Sequence, residues 1–267
     1  MKFKNICSAN KVRTILLCIC MGIVLCSCVE STEIPGKKMP WGRKKHGVID
    51  VTSDNVATKS EKVAFLTFDD GPSELTEKVL DILKENDVKA TFFLIGNQIN
   101  KDTKKIVKRM NEEGHQIGVH TYCHEPECIY SSADTYYSDV LKTEVIISKY
   151  TGVPAMIYRF PYGSVNGYIK GYRKKIINKL SKHGLEYCDW NVSGEDSVGN
   201  PTAKKIIKNI KKNYNVYDNP VILLHDSGSC KETVKALPEI IRMYKEDGYS
   251  FDVIKNRYRP VQWKSGK

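Results

Sequence analysis

The segment Val63-Ala-Phe-Leu-Thr-Phe-Asp-Asp-Gly-Pro72 gives the clearest indication of the fold. Its first six residues are apolar or β-branched, a run that is typical of a strand buried in a parallel sheet. Asp69 and Asp70 follow directly, and two adjacent carboxylates repel each other unless a cation or a shared proton compensates their charge. A metal ion on one carboxylate leaves the other available as a base. The alternative is a strand-end turn in which Asp-Gly-Pro supplies the backbone geometry, and both interpretations stay open for this stretch alone.

The rest of the chain alternates between strand-like and helix-like segments. Helices are predicted where apolar residues recur three and four positions apart, as they do from Leu75 to Leu83. Later helices are predicted over Tyr168–His183 and over Pro201–Lys211, where the proline suits the first helical position. Further strands are predicted at residues 90–95, 116–120, 156–159, 185–190, 221–224 and 251–254. About seven such alternations predict an α/β fold of parallel strands joined by crossover helices.

Polar residues that can carry chemistry follow several of these strands. In a barrel of parallel strands the carboxyl ends of the strands share one face, where active sites are built from the loops. Side chains that lie far apart in sequence are therefore expected to meet there. The residues concerned are Asp69, Asp70, His120, Arg159, Asp196 and His225.

His120 and His124 stand four residues apart. On a helical turn that spacing places both imidazoles on one side, ready for one metal ion. Thr121 follows the first histidine, so the pair is not the His-Glu-x-x-His motif, and a base must come from elsewhere, for which Asp69 is available. Two histidines at this spacing are usually incidental. Together with Asp70, however, they form a two-histidine, one-carboxylate set that suits Zn, Fe, Co or Mn.

Two further residues suit catalysis if a carboxylate lies beside them. Arg159 can hold Asp69 through charge-assisted hydrogen bonds, although a surface arginine near an ordinary turn is the simpler interpretation of that residue alone. His225 can act as a general acid if a carboxylate orients it, or it can be a core histidine with satisfied hydrogen bonds. Asp196 is the candidate partner of His225. Asp226 is less suitable, because neighbouring residues of a strand point to opposite faces.

The N-terminus has the pattern of an export signal. A basic segment ends at Arg13, an apolar run too short for a comfortable transmembrane helix follows, and Leu25-Cys-Ser-Cys28 closes it. The last four residues are similar to a bacterial lipoprotein cleavage box with the lipid on Cys28, and an uncleaved anchor or plain secretion are the alternatives. The predicted organisation is an export signal or lipoprotein leader at 1–28, a linker at 29–60, the catalytic domain at 61–258 and a short C-terminal tail at 259–267.

Composition excludes several other classes. The chain has 267 residues, 41% of them hydrophobic, which is ordinary for a globular protein. Its formal charge of +11 includes no dense basic run beside aromatic residues, so no nucleic-acid partner is expected, while an anionic cell envelope suits a basic surface. Nor do the 15 tyrosines show a stacking ladder. Four cysteines remain outside the leader, too few for a disulfide scaffold, and free thiols are expected, with a Cys123–Cys128 bridge as the alternative.

Five motifs in this order resemble those of the polysaccharide deacetylases, the NodB-homology domain of the family-four carbohydrate esterases. The resemblance covers about Lys62 to Ile254. The motifs are Thr67-Phe-Asp-Asp-Gly-Pro, His120-Thr-x-x-His124, Arg159-Phe-Pro-Tyr-Gly, Trp190-Asn-Val-Ser-Gly-Glu-Asp196 and Leu223-Leu-His225. Two departures are Ser197, where the family usually has tryptophan, and Phe160, where it usually has proline. Asp189-Trp190 could also be aligned with the fourth motif in place of Asp196.

The resemblance implies a distorted (β/α)7 barrel of parallel strands that binds one divalent metal ion, Zn first and Co, Mn or Fe as alternatives. It implies that Asp69 is the base, that Arg159 holds it, that the Tyr162 N–H binds the oxyanion, and that His225 is the acid with Asp196 as its partner. The implied metal ligands are Asp70, His120 and His124, and the implied substrate pocket contains Pro161, Trp190 and Leu223.

The activity that this implies is hydrolysis of N-acetyl groups on an N-acetylated polysaccharide. Export and the family together favour N-acetylglucosamine of peptidoglycan as the substrate. The protein is expected to be secreted or to lie on the extracellular face of the bacterial membrane, with its N-terminus in contact with the envelope. An O-acetyl esterase acting on xylan-like glycans and a catalytically silent glycan-binding envelope module are the alternatives. The protein is expected to act as a monomer.

Overall fold

A parallel sheet curled into an incomplete barrel carries the site residues. The computed structural model describes residues 61–257 and 259–264, so the predicted leader and linker lie outside the described residues. The strands are β1 Val63–Gly71, β2 Thr91–Leu94, β3 Gln116–Val119, β4 Ile157–Tyr158, β5 Glu186–Tyr187, β6 Val192–Ser193, β7 Val221–His225 and β8 Ser250–Phe251. Their order is β5-β4-β3-β2-β1-β7-β6, β8 pairs with the start of β1, and all pairs are parallel. The predicted α/β class and distorted barrel are confirmed.

Within the described part of the chain, seven α-helices lie between or beside the strands. They are α1 Glu74–Glu85, α2 Lys104–Glu112, α3 Pro126–Ile129, α4 Ala133–Thr151, α5 Arg173–His183, α6 Ala203–Lys211 and α7 Lys231–Glu246. No helix among residues 61–257 and 259–264 is long and apolar enough to cross a membrane.

Two predicted helix starts are wrong. Before α5, Asn166 accepts hydrogen bonds from the backbone N–H groups of Tyr168 and Ile169 and holds the chain in a turn there. At α6 the N-cap is Thr202, whose side chain accepts from the Lys205 N–H, so the preceding proline lies outside the helix. The predicted strand at 185–190 is also shorter, and a separate strand β6 follows it.

Alternation along β1 divides the core into two layers. Leu66 and Phe68 point outward and pack in the cluster between the sheet and the helices, whereas Phe65 belongs to a smaller cluster inside the barrel. Because side chains alternate along a strand, the next inward positions after Phe65 are Thr67 and Asp69. Asp69 is thus directed into the barrel mouth at the carboxyl end of the central strand.

The C-terminal segment packs on the connection between the two outermost strands, β5 and β6. The Asp189 N–H donates to the Val261 carbonyl at 2.7 Å. In return, the Trp263 N–H donates to the Asp189 carboxylate at 2.9 Å, and its indole N–H donates to the Trp190 carbonyl at 2.8 Å. Residues 261–263 therefore lie beside the Asp189–Trp190 segment at the rim of the barrel.

All four cysteines among the described residues carry free thiols, as the sequence predicted. Cys188 and Cys230 are buried, Cys123 is partly buried and Cys128 is exposed.

Candidate active site

Asp70 and two histidines form a group whose ligand atoms all lie within 4.8 Å of one another. The Oδ1 atom of Asp70 is 3.4 Å from Nε2 of His120 and 3.3 Å from Nε2 of His124. This oxygen is buried and has no hydrogen-bond partner among the described residues. His120 donates its Nδ1–H to the Arg159 carbonyl at 3.0 Å, which leaves the lone pair of Nε2 facing Asp70. An orphaned carboxylate oxygen and two imidazole nitrogens at this spacing fit a divalent cation.

The two histidines reach the site from a loop and not from a helix, so the helical geometry predicted for them is wrong. β3 ends before His120, and both Thr121 and His124 have left-handed backbone conformations, with φ of 66° and 63°. The Thr121 carbonyl accepts a hydrogen bond from the Gly96 N–H at 2.9 Å. Asp139 of α4 accepts from the Tyr122 N–H. A fixed loop thus directs the two imidazoles towards one point.

Asp69 lies in a different environment from its neighbour. It is 2% exposed, and its Oδ1 accepts a hydrogen bond from Nη1 of Arg159 at 2.9 Å. Burial raises the pKa of Asp69 to about 6, against the opposing effect of the Arg159 charge. A carboxyl with a pKa near neutral that is oriented by a fixed cation is suited to accept a proton.

Arg159 is fully buried, and all of its nitrogens donate hydrogen bonds. Besides Asp69, its Nη1 donates to Oγ1 of Thr67 at 2.8 Å, its Nε to the Cys188 carbonyl at 2.8 Å and its Nη2 to the Asp189 carbonyl at 3.2 Å. The guanidinium also lies over the Phe93 ring, 4.1 Å from its centroid. These contacts fix the guanidinium and, through it, the Asp69 carboxylate.

A second carboxylate-imidazole pair lies at the end of β7. Nδ1 of His225 is 2.8 Å from Oδ1 of Asp196, whose Oδ2 accepts from the His225 N–H and from Oγ1 of Thr233, both at 2.7 Å. Burial lowers the pKa of His225, but the hydrogen bond and charge of Asp196, with the charges of Asp69 and Asp70, outweigh it and raise the pKa to about 9. The imidazole is therefore protonated at neutral pH in the metal-free protein.

The other two aspartates near this end of the barrel have structural contacts. The Asp189 carboxylate accepts from the backbone N–H and the hydroxyl of Ser164, at 2.9 and 2.7 Å. Asp226 points away from the barrel mouth, as the strand alternation predicts, and accepts from the Thr76 hydroxyl of α1. A Cβ on Gly71 would lie 2.6 Å from the Asp226 carboxylate, so only glycine fits this close approach.

The residues predicted to line the pocket differ in their exposure and contacts. Tyr162 has a left-handed backbone with φ of 64°, and its ring centroid is 5.4 Å from that of His124. No backbone carbonyl of the described residues accepts a hydrogen bond from the Tyr162 N–H. Pro161 and Leu223 are buried, and Trp190 is partly buried with its ring edge against the Trp263 ring, 4.4 Å between centroids.

Two features of this region escaped the sequence analysis. Trp263 lies in the stretch predicted to be a tail, where nothing in the local sequence indicates a contact with Trp190. The tyrosines show no ladder pattern along the sequence, yet Tyr162, Tyr168 and Tyr130 follow one another in the fold, with ring centroids 5.4 and 6.4 Å apart. These rings come from different segments, so periodicity along the chain cannot reveal them.

The chain is similar in sequence to known polysaccharide deacetylases. The polysaccharide deacetylase family model matches residues 56–188. A peptidoglycan-N-acetylglucosamine deacetylase of Bacillus cereus is 36% identical over 199 residues, which cover 73% of this chain and 70% of that protein.

Solved structures agree with this result. The catalytic domain of a peptidoglycan N-acetylglucosamine deacetylase from Eubacterium rectale has a TM-score of 0.72 and 31% identity, covering 81% of this chain and 98% of that one. A family 4 acetyl xylan esterase from Clostridium thermocellum, solved with a cobalt ion, has a TM-score of 0.63 and 30% identity, covering 72% of this chain and 88% of that one. The chain therefore belongs to the polysaccharide deacetylase family, whose NodB-homology fold it shares.

Proposed function

We propose that the protein removes the acetyl group from N-acetylglucosamine residues of bacterial peptidoglycan by metal-assisted hydrolysis. The observation that carries this proposal is the separation of two adjacent carboxylates: Asp70 faces two imidazole nitrogens, while Asp69 is held by Arg159. The similarity to deacetylases of Bacillus cereus and Eubacterium rectale that are named for this substrate supports the choice of glycan.

Asp70, His120 and His124 would hold one divalent cation. Zn²⁺ is the proposed ion, because three protein ligands of this kind leave positions open for water and substrate in catalytic zinc sites. When bound, such an ion polarises a carbonyl oxygen and lowers the pKa of a water molecule beside it.

Asp69 acts in this proposal as the general base that takes the proton of the attacking water. Its Oδ2 is 3.8 Å from Nε2 of His120, so the base lies next to the metal ligands. Arg159 has the role of a positioning residue, because its hydrogen bond fixes one carboxylate oxygen and leaves the other facing the site. General bases placed in this way accelerate reactions about 10²- to 10⁴-fold.

Tyr162 acts on the acetyl oxygen, which becomes negatively charged, and His225 acts on the leaving nitrogen, which must gain a proton. The Tyr162 N–H, which no backbone carbonyl of the described residues accepts, is directed to the oxyanion that forms when water adds to the acetyl carbon. The protonated His225 then donates its Nε2 proton to the leaving nitrogen, since an amine leaves poorly unless it is protonated. Asp196 keeps the imidazole charged and oriented. Leu223, Pro161 and Trp190 would enclose the acetyl group and the sugar.

The test is acetate release from purified peptidoglycan, with metal content measured on the same sample. We expect release that stops with a chelator and returns with Zn²⁺. Asp69→Asn should lower turnover about 10²- to 10⁴-fold and keep its metal, whereas Asp102→Asn, which removes an exposed carboxylate elsewhere, should behave as wild type. Metal-loaded protein that releases no acetate from any glycan would refute the proposal.

An O-acetyl esterase is the second candidate function, and the similarity to the acetyl xylan esterase of Clostridium thermocellum favours it. An alkoxide leaves more readily than an amine and depends less on the His225 proton. Faster acetate release from acetylated xylan than from N-acetylglucosamine oligomers, with little effect of replacing His225, would favour this candidate.

The proposed place of action is the outer face of the bacterial membrane, reached through export and a lipid on Cys28. Cells that express the protein in labelled palmitate should yield a labelled band, and Cys28→Ala should remove the label while Cys26→Ala keeps it. Equal labelling of wild type and Cys28→Ala would exclude the lipoprotein.

A further inference from the structure

Two exposed tyrosine rings form a ridge beside the metal-facing residues. Tyr162 and Tyr168 are 50% and 47% exposed, and their ring centroids lie 5.4 Å apart. The ridge begins at the site, since the Tyr162 ring is 5.4 Å from the His124 ring. Neither ring is buried in the core, although both lie on the connection between β4 and α5 that also carries Pro161. Exposed apolar groups that adjoin one another mark contact surfaces.

The buried side chain of Tyr130 supports the ridge. Tyr130, which is buried, stacks against Tyr168 with an interplanar angle of 6° and donates its hydroxyl proton to the Pro161 carbonyl at 2.8 Å. Tyr168 and Tyr130 therefore present one continuous stack, of which only the outer ring reaches solvent.

Asn166 fixes the backbone of the ridge. Its Nδ2 donates to the Gly163 carbonyl at 2.7 Å and to the Pro161 carbonyl at 3.2 Å, and its Oδ1 accepts from the Tyr168 N–H at 2.9 Å. One side chain thus ties the segment that carries Tyr162 to the segment that carries Tyr168. Binding to a preorganised surface avoids the entropy cost of ordering it.

We infer that Tyr168 forms a glycan subsite that binds the pyranose next to the sugar that loses its acetyl group. This inference rests on the proposed function. A pyranose has a face of C–H groups and a rim of hydroxyls, and it matches a partly exposed phenol that offers an apolar ring and a polar hydroxyl. The subsite acts only on substrates long enough to reach from the metal ligands to the second ring of the ridge, so Tyr168 is a specificity-determining residue for chain length.

The test is the dependence of kcat and KM on the length of N-acetylglucosamine substrates, from the monosaccharide to the hexamer, with Tyr168→Ala, Tyr168→Phe and wild type. An aromatic contact of about 0.5–1.5 kcal/mol corresponds to an increase of about 2- to 12-fold in KM for the hexamer. We expect that increase in Tyr168→Ala, with kcat within about twofold and little change for the monosaccharide, which cannot reach the subsite. Tyr168→Phe keeps the ring and should keep the hexamer KM.

Val145→Ala is the control for the loss of an exposed apolar side chain, because Val145 is 64% exposed and lies on α4. If Tyr168→Ala raised KM equally for substrates of all lengths, or left the hexamer KM unchanged, the inference would be overturned while the deacetylase activity would stand. If wild type released no acetate from any oligomer, the proposed function would fail, but calorimetric binding of the hexamer would still test the subsite. Unchanged hexamer affinity in Tyr168→Ala would reject the subsite. Weaker hexamer affinity in Tyr168→Ala, together with wild-type affinity in Tyr168→Phe, would support it.

Discussion

Replacement of Asp196 by asparagine removes the negative charge beside His225 without changing the shape of the side chain. The orientation of the new amide is set by its other neighbours. Two donors, the His225 backbone N–H and the Thr233 hydroxyl, converge on Oδ2. The amide oxygen must take that position, because a backbone N–H cannot become an acceptor. The amide NH₂ then faces Nδ1 of His225 and favours the neutral imidazole.

The size of the effect follows from the His225 pKa. Its increase from 6.5 to about 9 in the folded protein corresponds to about 3 kcal/mol of interaction with the protonated form. Because the folded-state pKa is the higher one, this stabilisation is present below pH 6.5 and is lost as the pH rises through 9. Without the Asp196 charge, only the charges of Asp69 and Asp70 oppose burial, and the His225 pKa should fall from about 9 towards its ordinary value near 6.5.

The assay is NMR titration of the His225 ring in metal-free protein, followed by pH–rate profiles of metal-loaded protein. We expect the alkaline limb of kcat to move to lower pH in Asp196→Asn, with a loss of about tenfold or more near pH 8 and a smaller loss near pH 6. The metal content should stay the same, since none of the proposed ligands is changed. Asp102→Asn controls for the loss of one charge. An unchanged His225 titration or an unchanged alkaline limb would refute the assignment of Asp196 as the partner of the acid.

Three other perturbations test separate parts of the structure. His124→Ala should leave the fold intact but lower metal content, measured by mass spectrometry, to near zero, because its imidazole faces the orphaned oxygen of Asp70; full metal content would contradict that ligand. Arg159→Met should lower the free energy of unfolding in urea by about 3–5 kcal/mol, because it leaves a buried carboxylate unpaired, and a loss below about 1 kcal/mol would contradict this role. His115 accepts the Ala90 N–H at Nδ1, and burial lowers its pKa to about 4, so its contribution to stability is present above pH 6.5 and is lost as the pH falls towards 4. Urea unfolding measured between pH 6.5 and 4 should show that the free energy of unfolding of wild type falls by about 3 kcal/mol more than that of His115→Gln. Parallel pH dependences of the two proteins would refute the lowered pKa of His115.

The sequence was sufficient to predict which residues belong to the candidate site, but it predicted only some of the contacts between them. Period-two alternation in β1 already indicates that Asp69 shares a face with Thr67, and the same alternation separates His225 from Asp226. The path of the chain around His124 was not predictable, because the left-handed backbone there depends on the Gly96 and Asp139 contacts from other segments.

Some members of the site have no local signature. Tyr168 becomes part of a ridge only because Asn166 and Tyr130 hold it next to Tyr162. Trp263 meets Trp190 only because the C-terminal segment packs on the connection between β5 and β6. Contacts between segments that are distant in sequence depend on the final packing, which periodicity does not encode.

Apolar periodicity and motif order are local properties of the chain, so they were enough to predict the parallel α/β barrel, the family and the strand end that carries each motif. The difference between the two adjacent carboxylates, in contrast, arises from the folded structure. Burial and the Arg159 guanidinium act on Asp69, whereas two imidazoles from a loop beyond β3 face Asp70. Desolvation and electrostatic interactions depend on distances through space, so neighbours in sequence acquire different chemistry once the chain has folded.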